Sequence, residues 1–183
     1  MKKAVFLDKD GTLVHDVPHN VDPARVSFTF GARESVRRLN DAGWCVVLVT
    51  NQPGVAAGII SEKQLDRVKH HLHRELAIQG ARLDAIYACV HARPAAGERP
   101  HCACRKPNPG LLLRAAEDLG IDLGQSWMIG DILDDVEAGN LAGCRSILFC
   151  NGGETLWEVS PVRVPDHVAF SLPEAASIIL GHD

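Results

Sequence analysis

Five short apolar runs punctuate the chain, at residues 4–7 (AVFL), 44–49 (WCVVLV), 85–90 (AIYACV), 126–130 (SWMIG) and 146–150 (SILFC). None alternates strictly between apolar and polar positions, which is the pattern of strands covered on both faces. Segments of helical period lie between them. The clearest covers residues 61–80: Ser61 and Gln64 have the spacing of a capping box, and Leu65, Val68, Leu72 and Leu76 recur on one face. Gly80 suits the position just past its end. A second helix opens at Asn108 with Pro109 in its first turn and stops at Gly120, and shorter ones fit residues 32–42, 134–142 and 173–180. Strands separated by crossover helices predict a doubly wound, Rossmann-like α/β fold with a parallel sheet, whose ligands bind outside the carboxyl ends of the strands.

With 183 residues, 46% hydrophobic and 23% charged, the chain can bury one core, and a single domain over residues 1–183 is expected. A net charge of −4 provides no basic field for nucleic acid or an anionic membrane. Any anionic substrate must therefore be held by a local site, and the expected working unit is a monomer. The apolar run after Lys2 and Lys3 is cut off at Asp8, too soon for an export signal, and no later run approaches a membrane span. A cytoplasmic protein with reduced cysteines follows as the expectation. Cys45, Cys144 and Cys150 sit in or beside apolar runs and read as small buried hydrophobes. His70, His71 and His73 fall on the polar flank of the long helix and read as solvated, while His15, His19, His167 and His182 show no partner in the sequence.

The chemistry stands at the strand ends. Asp8-Lys9-Asp10-Gly11-Thr12 follows the first strand, Thr50-Asn51-Gln52 ends the second, Arg105-Lys106-Pro107 comes after the third, and Asp131 follows the fourth. Carboxylates on one edge repel one another unless a cation joins them. Mg²⁺ suits the set, held by Asp8, by Asp10 through a main-chain carbonyl nearby, and by Asp131. An aspartate can act as a nucleophile through an acyl phosphate, and Asp10, two residues on, is placed to shuttle the proton. Thr50 and the backbone amides beside Asn51 can donate to phosphoryl oxygens, and Lys106 adds positive charge.

FLDKDGTL, VVLVTNQPG, CRKPNPG and MIGDILDD resemble, in order, the four motifs of the haloacid dehalogenase-type phosphatases, and the likeness runs over essentially the whole chain. The resemblance implies Asp8 as nucleophile, Asp10 as general acid and base, Lys106 and Asp131 serving the phosphoryl group and Mg²⁺, and Thr50 in the second motif. Asp10 stands where the ATPases of that superfamily carry threonine, which implies a phosphatase. Asp134 and Asp135 stay open between a supporting role at the site and a preference for the start of the following helix.

Cys89-x-His91 and Cys102-x-Cys104 supply four soft or borderline ligands, the Cys₃His set of a closed structural zinc site, with His101 competing for the histidine position. A Cys-x-His and Cys-x-Cys loop running straight into Arg-Lys-Pro is similar to the zinc-bearing subgroup of the same superfamily, the heptose-bisphosphate and histidinol-phosphate phosphatases. That likeness favours His91 and implies that loop 89–104 lies at the edge of the active site, where other members carry a cap domain. The long loop, the TNQ-x-G segment and DHVAFSLPEAASII resemble the heptose-bisphosphate members more than the histidinol-phosphate ones. In such enzymes Thr50, Asn51 and Gln52 would face substrate, and Arg105 would meet the part of it beyond the reacting phosphate. Two cations of the heptose pattern are replaced here, by Ala57 and by Ile132. The acidic balance disfavours a DNA 3′-phosphatase, and the complete set of motif residues disfavours a zinc-clipped binding module without catalysis.

Overall fold

A computed structural model describes residues 1–95 and 97–182. Six strands form one parallel sheet: β1 (Ala4–Leu7), β2 (Cys45–Asn51), β3 (Ala85–Cys89), β4 (Trp127–Gly130), β5 (Arg145–Phe149) and β6 (His167–Ala169). Their order is β3-β2-β1-β4-β5-β6. The helices between and after them are α1 (Ala32–Asp41), α2 (Glu62–Ala77), α3 (Gly110–Leu119), α4 (Leu133–Ala142) and α5 (Leu172–Gly181). The doubly wound parallel sheet expected from the apolar runs is the fold. No helix among the described residues is long and apolar enough to cross a membrane.

Alternate side chains of each central strand explain why the runs are continuously apolar. Val5, Leu7, Val46 and Leu48 pack with Val36 and Leu39 of α1, with Val68, Leu72 and Leu76 of α2, and with Ile179 of α5. Ala4, Phe6, Val47 and Val49 pack on the opposite face with Leu111, Leu112 and Ala115 of α3 and with Ala138 and Ala142 of α4. Two layers of helices thus cover one sheet. The strand order reverses between β1 and β4, and the crevice outside their carboxyl ends is where such sheets bind ligands.

Several boundaries differ from the expectation. The capping box of Ser61 and Gln64 forms as expected, but α2 ends at Ala77, and Gly80 takes its positive φ beyond a short turn. Pro109 caps α3 instead of lying in its first turn. The third divergence is β6, a three-residue edge strand with one buried side chain, too short and too exposed to leave an apolar run. Cys45 and Cys144 are buried, whereas Cys150 lies past the end of β5 and is half-buried. His167 and His182, unassigned from sequence, bring their Nε2 atoms to 3.2 Å.

Candidate active site

Asp8 leaves β1 and Lys106 enters from the loop after β3, and the two meet at the centre of the crevice. Lys106 Nζ donates to Asp8 Oδ1 at 2.5 Å, to Asp135 Oδ1 at 2.6 Å and to the Val49 carbonyl at 3.1 Å. All three charged side chains are buried. Burial alone would disfavour the Lys106 ammonium, yet the Asp135 and Asp8 carboxylates outweigh it and hold the pKa above its ordinary value. Asp8 is pushed well above the usual carboxylate range, chiefly by burial, with Lys106 pulling the other way and Asp135, Asp10 and Asp131 adding to the rise.

Asp131, at the end of β4, accepts from Thr12 Oγ1 at 3.2 Å. Burial and then the neighbouring Asp135 push its carboxyl up to about 7. Asp8, Asp131 and Asp135 each offer an oxygen, all within 4.8 Å of one another. Three buried carboxylates sharing one ammonium are short of positive charge, and a hard divalent cation among oxygen ligands would supply it. Asp135 completes this group, and it also accepts from the Ile132 amide at 3.3 Å, so both roles left open from sequence fall to one side chain. Asp134 instead pairs with Arg163 at 2.7 Å.

Gly11 presses its backbone against Asp131. Its φ is +85°, and a Cβ there would stand 2.1 Å from Asp131 Oδ2. Gly11→Ala is therefore expected to lower stability by about 1–3 kcal/mol and to reduce turnover by displacing Asp131, as read by thermal unfolding and by kcat on one preparation.

In the second motif, Gln52 Nε2 donates to Asp10 Oδ2 and to Thr50 Oγ1, each at 2.9 Å. The first bond, with the contact from Lys9 Nζ to the other oxygen, orients the Asp10 carboxylate. In the second, Thr50 Oγ1 is the acceptor, so its own hydrogen stays available to another acceptor. Asn51 spends both polar atoms on the main chain of Lys106, Nδ2 donating to its carbonyl and Oδ1 accepting from its amide, each at 3.1 Å. The Gln52 amide donates to the Cys89 carbonyl at 2.7 Å, because β2 keeps pairing with β3 to its end. That amide is thus engaged in the sheet and not available to a phosphoryl oxygen.

The cysteine loop closes on itself. Cys89, Cys102 and Cys104 place their Sγ atoms 3.3, 3.6 and 3.7 Å apart, and His91 Nδ1 lies 3.1 Å from Cys104 Sγ and 3.5 Å from Cys89 Sγ. A tetrahedron of about 2.3 Å zinc–sulfur bonds has sulfur separations of about 3.8 Å, close to these. His101 stands apart, 85% exposed and facing Glu98. Arg105 follows directly, and its Nη1 is buried without a hydrogen-bond partner.

A buried aspartate paired with a lysine, within a group of three carboxylates at the reversal point of such a sheet, has the parts that phosphoryl transfer needs. Residues 103–175 match the HAD-hydrolase-like family profile. The chain is 38% identical over 184 residues to the D-glycero-β-D-manno-heptose-1,7-bisphosphate 7-phosphatase of Pasteurella multocida, covering 99% of this chain and 98% of that one. It is also 38% identical to the D-glycero-D-manno-heptose-1,7-bisphosphate 7-phosphatase of Thermosynechococcus vestitus, over 99% of this chain and 97% of the relative. The solved D,D-heptose 1,7-bisphosphate phosphatase of B. bronchiseptica, complexed with magnesium and phosphate, superposes with a TM-score of 0.81 at 32% identity, covering 99% of both chains. The chain belongs to the HAD-like phosphatases, in the family of these heptose-bisphosphate enzymes.

Proposed function

We propose that the protein removes the 7-phosphate of D-glycero-D-manno-heptose 1,7-bisphosphate, as one domain over residues 1–183 acting as a monomer in the cytoplasm. The observation that carries this reading is the Cys₃His cluster running directly into Arg105 and Lys106, with Lys106 on Asp8. An Asp8 oxygen attacks phosphorus, the bond to the sugar oxygen breaks, and Asp10 gives that oxygen its proton. Asp10 then takes a proton from the water that releases phosphate from Asp8. Thr50 and Lys106 hold the phosphoryl oxygens throughout. Asp8, Asp131 and a main-chain carbonyl at Asp10 would hold Mg²⁺, which would supply charge neutralisation, and Cys89, His91, Cys102 and Cys104 would hold Zn²⁺, which would pin the loop beside Arg105.

The test is a panel of sugar monophosphates, sugar bisphosphates and histidinol phosphate, with kcat/KM highest for the heptose bisphosphate as the expected result. A clear preference for histidinol phosphate would overturn it. Selectivity should nonetheless be modest. Ala57 is exposed in the turn after β2 and Ile132 caps α4, so neither offers a cation to the second phosphate. One charge-assisted contact is worth about 1.5–3 kcal/mol, or roughly one to two decades in kcat/KM. Ala57→Arg is expected to raise the ratio of bisphosphate to monophosphate turnover by about that factor at fixed ionic strength, and an unchanged ratio would remove position 57 from substrate recognition.

A further inference from the structure

Glu137 sits in the middle of α4 with its side chain only 1% exposed, and no step of phosphoryl transfer uses it. Its Oε1 accepts from Arg99 Nη1 and its Oε2 from Arg163 Nε, both at 2.6 Å. A carboxylate buried this far from the helix ends is costly unless paired, and here two arginines from different parts of the chain meet it. Arg163 belongs to the connection between β5 and β6. Arg99 belongs to the excursion 92–101, between the two pairs of cysteine-loop ligands.

That excursion has no helix or strand among its described residues. The Cys₃His cluster secures its two ends, and the Asn108 side chain reaches only its last turn, at the Pro100 carbonyl. Arg99, two residues before the end of the excursion, ties it to the middle of α4 through Glu137. Arg93, on the same excursion, is near enough for its charge to oppose that of Arg105. The described part of the excursion thus brings Arg93 close to Arg105, a cation whose buried Nη1 has no partner among the described residues.

We infer that the Arg99–Glu137 pair is a latch that holds the 92–101 excursion against α4 and so shapes the wall that receives the anionic group of the substrate remote from the reacting phosphate. Arg99 and Glu137 are positioning residues, acting through Arg105 and its neighbours. The inference rests on the sugar-phosphate reading above only for the identity of that substrate.

Arg99→Ala is the variant of choice, because Arg99 is 67% exposed and Glu137 keeps Arg163 when it is removed. Three quantities are compared with wild type: steady-state constants for heptose 1,7-bisphosphate and for p-nitrophenyl phosphate, zinc content, and amide hydrogen exchange over residues 92–101. The expected result is KM for the bisphosphate raised about threefold to fivefold, the range of a largely exposed ion pair, with kcat and both aryl phosphate constants unchanged. Exchange in the excursion should quicken, zinc should stay bound, and Arg99→Lys should restore part of the loss. Unchanged exchange, or equal effects on the two substrates, would overturn the latch, and loss of zinc would make the pair part of the clip instead. Should wild type leave the heptose bisphosphate untouched, the substrate reading fails by itself. The latch is then judged on hydrogen exchange and on the best sugar phosphate of the panel against the aryl phosphate.

Discussion

Asp8→Asn protein is expected to fold normally and to lose at least about three orders of magnitude in kcat toward any phosphate monoester. The amide cannot attack phosphorus to give an acyl phosphate, so the covalent route closes, whereas a residue that only oriented substrate would leave more activity behind. The fold should survive because Lys106 keeps Asp135 at 2.6 Å after Asp8 is neutralised. Burial first, and then repulsion from Asp135, Asp10 and Asp131, disfavour a charge at position 8, and the neutral amide removes both penalties, so thermal stability should be equal to wild type or higher. The pair of measurements is single-turnover kinetics with an aryl phosphate and a thermal melt on the same sample. Retained turnover in rigorously purified variant would end the aspartyl-phosphate mechanism.

The second large effect concerns the cysteine loop. Zinc is expected at about one per chain, and Cys102→Ala or exhaustive chelation should remove it. A ligand present at a thousand times its Kd stabilises the folded state by about 4 kcal/mol, which for a chain of this size is about 10 °C in melting temperature. A fall of that order is expected together with a loss of activity, since the same loop sets the path into Lys106. His91→Ala should lower zinc content and His101→Ala should not, because only His91 faces the sulfur atoms. Wild-type protein that is folded and active with no zinc, measured by elemental analysis, would show that the cluster is not a clip.

Much of this site can be read from sequence because three of the four motifs stand where a buried parallel strand ends, and a buried strand leaves a continuous apolar run. Asp8, Thr50 and Asp131 are legible for that reason, and Lys106 by its place in the CRKPNPG stretch that follows the cysteine loop. The supporting bonds are another matter. Asn51 and Gln52 look alike as polar residues after a strand, yet one clasps the Lys106 backbone and the other orients Asp10. Which neighbour a short amide side chain finds depends on the register of two strands and a loop, and no local pattern encodes it. Asp135 gave a usable signal, standing four residues after Asp131 across a strand-to-helix turn, but its contact with Lys106 is long-range. The edge strand β6 was illegible for the opposite reason, having too little burial to require apolar residues.

The two hydrogen bonds between the Asn51 side chain and the main chain of Lys106 carry an implication for how this architecture can be altered. They copy what a neighbouring strand would offer, so the lysine is indexed to the sheet and to the clip just before it, and not to the number of residues between the two halves of that clip. The stretch from residue 92 to residue 98 can then be lengthened, shortened or exchanged between homologous proteins without shifting the ammonium from Asp8. Catalytic competence and substrate range become separately editable, the first written in the sheet and the second in an interchangeable loop.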